Sequence, residues 1–263
     1  MAVVQGVEIP LSDGSTLPAA LAIPGGNGTP TDRAASGSTG GAMAGRARSG
    51  VVVIHEAIGL NDDIRRIAAR FADAGYVTLA PDFLAGLGPM PFCIARFARG
   101  IGRVKIGRPY RQLAAAEDWL RSRPEVAGSP IGVAGFCIGG GFALLHATGA
   151  DIAAVAPFYA AVPKDAEALT GICPVVASFG GRDGIFGGGG GPLETTLTRL
   201  RVAHDVKTYP DAGHSFMNRH GGWMTSVERR LPTHGGYVDS AAEDAWQRTL
   251  SFFALHLGPG AHD

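Results

Sequence analysis

The chain has 263 residues, 46% of them hydrophobic and 17% charged, which is enough to bury a core without disulfides or a structural metal. Its 23 Lys+Arg balance 23 Asp+Glu, which excludes steering toward nucleic acid or an anionic membrane and suits a small, weakly charged substrate. Cys93, Cys137 and Cys173 are odd in number and widely spaced, so they form neither a disulfide framework nor a zinc cluster and read as reduced thiols of a cytoplasmic protein. The opening residues lack a basic stretch followed by an apolar one, so no signal peptide is expected. No apolar run approaches the ~20 residues that a membrane span needs.

In chain order, residues 3–23 predict two short strands around the turn Ser12-Asp13-Gly14. Residues 24–50 are rich in Gly, Ser, Ala and Thr and cannot bury enough surface to offset their ordering entropy. They are expected to be a flexible surface loop inserted in a single domain, 1–263, because too few residues precede them to fold alone. The continuous run Val51, Val52, Val53, Ile54 predicts a strand covered on both faces. Ile64, Ile67, Ala68 and Phe71 then recur at helical spacing over 62–74, with Gly75 as the C-terminal stop.

The rhythm continues with a strand over 76–80 stopped by Pro81, a helix over 110–121, and a strand over 131–134 feeding a helix over 138–148. Strands over 152–157 and 174–179, a helix over 193–203, a strand over 205–209 and a terminal helix over 239–257 complete it. Alternation of this kind predicts an α/β fold: a mostly parallel twisted sheet, helices on both faces, and the first hairpin as an antiparallel edge. The glycines of 187–191 are not followed by a phosphate-loop Lys-Ser/Thr and read as a flexible linker. The basic stretch 93–111 (Arg96, Arg99, Arg103, Lys105, Arg108, Arg111) reads as a solvated cap-like helix and loop, or alternatively as part of a substrate entrance. His220, Trp223, His234 and Tyr237 fall in an insertion over 219–238 that reads either as a lid or as a packed excursion.

In a sheet of this type the loops leaving the strands' carboxyl ends line the active site. There stands Gly135-Phe136-Cys137-Ile138-Gly139-Gly140, a nucleophile-elbow pattern with Cys in the Ser position. The nucleophile of such an elbow sits on a tight strand-to-helix turn, where side chains two positions away would collide with backbone. The helix start favours the thiolate, and the Ile138 N–H faces a developing oxyanion. Gly180-Gly181-Arg182-Asp183 and Gly213-His214-Ser215-Phe216 follow the next two predicted strand ends that matter, giving the order nucleophile, acid, His. His214 would hold the nucleophile's proton, and Asp183 would fix its tautomer.

With these motifs in place the chain resembles the dienelactone hydrolase family of α/β-hydrolases. His55-Glu56-Ala57-Ile58-Gly59-Leu60-Asn61 after the first buried strand and the stretch 76–83 extend the resemblance, which runs from about Val51 to the C-terminus. The resemblance implies a carboxymethylenebutenolidase-like ester or lactone hydrolase. It implies a role for Glu56 in ionising Cys137 and pairs the Ala57 N–H with that of Ile138 as the oxyanion hole. Members that act on dienelactone hold its carboxylate with two arginines; here Gly86 and Asn218 occupy those positions, with Arg96, Arg99 or Arg219 as possible replacements. The expected enzyme uses Cys137, Asp183, His214 and Glu56, needs no metal or organic cofactor, and acts on a small molecule as a monomer or small homo-oligomer. Two other readings fit the same residues: a binding protein with little turnover, and an acyltransferase on the same scaffold.

Overall fold

The computed structural model describes residues 1–25, 47–87, 95–96, 98–99, 106–221, 230 and 232–258. Most of the 24–50 loop, Cys93, Arg103, Lys105 and Trp223 therefore lie outside the described residues. Strand β1 (Val3–Pro10) pairs antiparallel with β2 (Thr16–Ile23), and β2 continues antiparallel onto β4 (Val77–Pro81). All other pairings are parallel: β3 (Gly50–Ile54), β5 (Ile131–Phe136), β6 (Ala154–Phe158), β7 (Val175–Gly180) and β8 (His204–Tyr209) complete one eight-stranded sheet. Its order is β1-β2-β4-β3-β5-β6-β7-β8. Every residue of β3 through β7 is buried, which explains why these strands read as unbroken apolar runs without alternation.

Among the described residues, five α-helices cover the two faces. Helix α1 (Asp62–Asp73) starts at Asn61, whose side chain accepts from the Ile64 N–H at 2.9 Å, with Asp62 and Asp63 complementing the helix dipole. Its Phe71 packs on Trp246 and Phe253 of α5 (Asp239–Leu257), at ring separations of 4.5 and 6.0 Å. Burying each such aromatic contributes about 2–3 kcal/mol. On the other face lie α2 (Arg108–Arg121), α3 (Ile138–His146) and α4 (Gly190–Arg199), with Leu113, Phe142 and Leu193 in one cluster. Arg248 of α5 clamps that helix to the sheet. It meets both carboxylate oxygens of Asp205 at 2.6 and 3.0 Å and also reaches Ser178 and Tyr209.

Two expectations change. Helix α4 begins at Gly190 and ends at Arg199, so part of the glycine run is helix and the rest a tight turn, not a linker. Close packing explains the composition: a Cβ on Gly189 would lie 2.9 Å from Val162, and one on Gly190 would lie 2.7 Å from Thr208 Oγ1. Helix α3 ends at His146, two residues short, where the Thr148 hydroxyl bonds back to the Leu145 carbonyl at 2.8 Å.

The connection after β3 runs outward to β4, whereas the chain from β5 proceeds the other way. The crevice at the carboxyl ends of β3 and β5 is the topological switch point, where α/β sheets hold ligands.

Candidate active site

Cys137 stands at this switch point, between β5 and α3. Its backbone adopts φ 55° and ψ −119°, a conformation that costs a non-glycine residue energy and is kept only where the surroundings dictate it. The surroundings do so here. The Cys137 N–H donates to the Phe158 carbonyl at 3.1 Å, and its own carbonyl accepts from Gly140 N–H at 3.0 Å. A Cβ on Gly135 would collide with the Gly139 carbonyl, and one on Gly139 with the carbonyls of His55 and Ile54. The glycines thus let β3, β5 and α3 converge, and the thiol is left half-buried at the helix start.

Asp183 follows β7 and His214 follows β8. His214 Nδ1 lies 2.6 Å from Asp183 Oδ2, while Asp183 Oδ1 accepts from the amides of Ile185 and Phe186 at 3.0 and 3.1 Å. Burial alone would raise the Asp183 carboxyl, but the His214 contact and the two amides hold it below the ordinary range. Burial alone would depress His214; hydrogen bonds to Asp183 and to the Cys137 thiol outweigh it and push the imidazole up to about 10. Each side of this pair favours its charged form, and Cys137 adds to the shift of His214.

The His214 ring is wedged between Tyr159 and Phe186, at centroid separations of 4.9 and 5.2 Å. Its backbone is held from the far side as well: His214 N–H donates to Thr233 O at 2.8 Å, and His214 O accepts from Gly236 N–H at 3.0 Å. The returning end of the 219–238 insertion is therefore a strut behind the His loop. Gly213 is needed for this approach, since a Cβ there would overlap the His234 carbonyl.

Glu56 is buried just beyond β3. Its Oε1 lies 2.5 Å from Nε2 of His220, whose side chain is itself 4% exposed. The carboxylate is thus paired with an imidazole from the loop after His214. His55 is neutral: burial lowers its pKa, Nδ1 donates to the Glu56 carbonyl at 2.7 Å, and Nε2 accepts from Phe83 N–H at 3.0 Å. This ring ties the β3 and β4 loops together. Among the described residues, the amides of Ala57 and Ile138 have no backbone acceptor.

The two positions where dienelactone-acting relatives would carry arginine are structural here. Gly86 takes φ 70°, in the left-handed region that favours glycine. Asn218 is fully buried: its amide donates to Asp63 Oδ2 at 2.9 Å, and its carbonyl accepts from the Tyr159 hydroxyl. Asp63 in turn binds Arg66 Nε at 2.7 Å, and Arg66 reaches the Met217 carbonyl at 3.2 Å. Arg219 does not replace the missing arginines. It is exposed, donates to the Tyr237 hydroxyl at 2.8 Å and stacks 4.5 Å over that ring. Tyr159 and the partnership of His220 with Glu56 carry no motif and were not legible in the sequence. Tyr159 shares one hint with Cys137, a positive φ of 39° in a non-glycine residue, but that is visible only in three dimensions.

Cys173 is half-buried at the base of β7, where burial pushes its thiol to about 12 and leaves it inert. Among the described residues no cluster of His, Cys, Asp and Glu is arranged to hold a metal, and no helix is long and apolar enough to cross a membrane.

Residues 40–257 match the family described as Dienelactone hydrolase family. The carboxymethylenebutenolidase of Rhodococcus opacus is 30% identical over 230 residues, covering 80% of this chain and 82% of that protein. Among solved structures, a dienelactone hydrolase-like promiscuous phosphotriesterase from metagenomic libraries is 25% identical, with a TM-score of 0.75 and coverage of 98% and 99%. The dienelactone hydrolase of Anabaena variabilis shares the fold with a TM-score of 0.63 at 20% identity, covering 97% of this chain and 99% of that one.

Proposed function

The chain belongs to the dienelactone hydrolase family of ester- and lactone-cleaving α/β-hydrolases, and we propose that it cleaves such bonds through a covalent thioester on Cys137. The observation that carries this reading is the Asp183–His214 hydrogen bond beside Cys137, which stands on a strained turn at the switch point. The thiolate attacks the ester carbonyl, and the Ala57 and Ile138 N–H groups receive the oxyanion. The His214 imidazolium gives its proton to the departing alkoxide, which in a lactone stays tethered to the acyl group. A water then attacks the thioester while His214 takes one of its protons, and collapse releases the acid and restores the thiolate. Asp183 holds the Nδ1 proton and compensates the imidazolium throughout. Glu56, buried beyond β3 and paired with His220, is assigned the assisting role of ionising the thiol when substrate displaces this arrangement.

The test is a panel of aryl esters and small lactones, dienelactone included, with the wild type and Cys137→Ala side by side. Turnover that requires Cys137 is expected on at least one of them. Equal turnover by folded Cys137→Ala sinks the thioester route, and a folded wild type inactive on the whole panel favours a binding role.

A second reading rests on the metagenomic phosphotriesterase, which shares the fold at 25% identity. An aryl phosphotriester added to the panel tests it; cleavage dependent on Cys137 would extend the same nucleophile to phosphorus.

A further inference from the structure

A cavity of about 530 Å3 lies at the start of α2, beside the loop that leaves β4. Its size is that of a small-molecule site, about 300–1,000 Å3. Neither Cys137, Asp183 nor His214 is among its described lining residues. Phe83, only 1% exposed, forms the wall on that side, its ring 5.7 Å from both His55 and Phe142.

Four arginines, Arg96, Arg99, Arg108 and Arg111, line this one cavity. Among the described residues none of them makes an ion pair, although carboxylates are as numerous as cations in the chain. Arg111 donates to the Ile106 carbonyl at 2.6 Å, and the others are without hydrogen bonds among the described residues. Asp13 feels the charge of Arg108, but its carboxylate is already engaged by the Ser15 amide and hydroxyl at 3.0 and 2.5 Å. The helix start adds to the positive potential: Gly107 supplies no side-chain cap, and the first turn holds no acidic residue.

A second observation, independent of the helix, points to a ligand. Gln112 is 3% exposed and lines the cavity, and its amide makes no hydrogen bond with a described residue. An amide at a cavity wall without an internal partner is completed by solvent or by a ligand. Leu87 and Ile106 give the remaining wall an apolar character.

We propose that this cavity is an anion-binding site for a small organic carboxylate with an apolar body. Its oxygens are taken by the Arg108 and Arg111 guanidinium groups and the Gln112 amide, and its body lies against Phe83 and Leu87. Planar guanidinium forks match carboxylate geometry, and the apolar wall selects against a bare inorganic anion. The site does not depend on how the ester is cleaved.

The experiment is calorimetric titration of the full chain with benzoate and, separately, inorganic phosphate. Wild type and Cys137→Ala are expected to bind benzoate equally and more tightly than phosphate. Arg108→Gln/Arg111→Gln, at exposed positions that do not endanger folding, and Gln112→Leu should each weaken benzoate by about tenfold or more, the loss of a charge-assisted hydrogen bond. Three outcomes overturn the proposal: no benzoate binding, phosphate bound as tightly as benzoate, or benzoate binding that survives both sets of substitutions.

Discussion

His220 Nε2 sits 2.5 Å from Glu56 Oε1, both side chains almost wholly buried, so the carboxylate just beyond β3 is held by a residue of the loop that follows His214. Breaking such a pair strands its partner in a medium that cannot hydrate it. His220→Ala should therefore cost about 3 kcal/mol in unfolding free energy. Adding Glu56→Gln should recover part of that loss. A double-mutant cycle by chemical denaturation checks this, and strictly additive effects would show that the two residues act independently.

The Asp183–His214 pair gives stability a pH dependence whose sign follows from the two shifts. His214 is raised from 6.5 to about 10, so its contribution is complete below 6.5 and is lost as pH climbs through about 10. Asp183 is lowered from 3.8, so its contribution is present above 3.8 and is lost as pH falls through its depressed value. The stability gap between wild type and Asp183→Asn should be widest near pH 5–6 and shrink above pH 10. Thermal unfolding across pH 5 to 10.5 measures it, and a gap that grows with pH contradicts the assignment. Under the proposed mechanism the same variant should lose about 10^3–10^4 in kcat with its fold intact, because the imidazole is left in the wrong tautomer.

Gly139 is where backbone meets backbone. A Cβ there would lie 2.7 Å from the Ile54 carbonyl and overlap that of His55. Neither carbonyl can move without shifting β3 and its neighbours. Gly139→Ala should destabilise the protein by about 2–3 kcal/mol and depress turnover as well, by displacing Cys137 from the Ala57 loop. Gly191→Ala, where a Cβ meets nothing within 4 Å, is the control expected to leave both unchanged.

Asn218 links Tyr159, Asp63 and the His214 loop with no access to solvent. Asn218→Leu removes the amide that bonds the Tyr159 hydroxyl and one buried Asp63 oxygen, and should cost about 2–4 kcal/mol. Since Tyr159 also packs on His214, kcat should fall more than KM rises. Asn218→Arg, which would copy the dienelactone-binding arginine, is expected to destabilise the protein further instead of conferring carboxylate recognition; steady-state kinetics with denaturation curves separates the two effects.

The mostly parallel sheet, its antiparallel edge and the placement of Cys137, Asp183 and His214 after strand ends were legible in the chain because each rests on local rules. Val51–Ile54 can only be a doubly covered strand, and Gly135, Gly139 and Gly140 are required by how closely backbone approaches a tight turn. The glycines of 187–191 were misread as a linker because composition records only freedom, whereas the contacts with Val162 and Thr208 that demand small residues come from distant segments.

The tertiary structure alone decided what surrounds those motifs. Glu56 meets His220 across 164 positions, and Asn218 meets Asp63 across 155, separations at which sequence spacing carries no signal. It also decided that Arg219 turns outward onto Tyr237 while Arg108 and Arg111 stay without carboxylates around Gln112. Backbone geometry is set by residues within a turn or two, but the partner of a buried charge is set by which loops the finished sheet brings together.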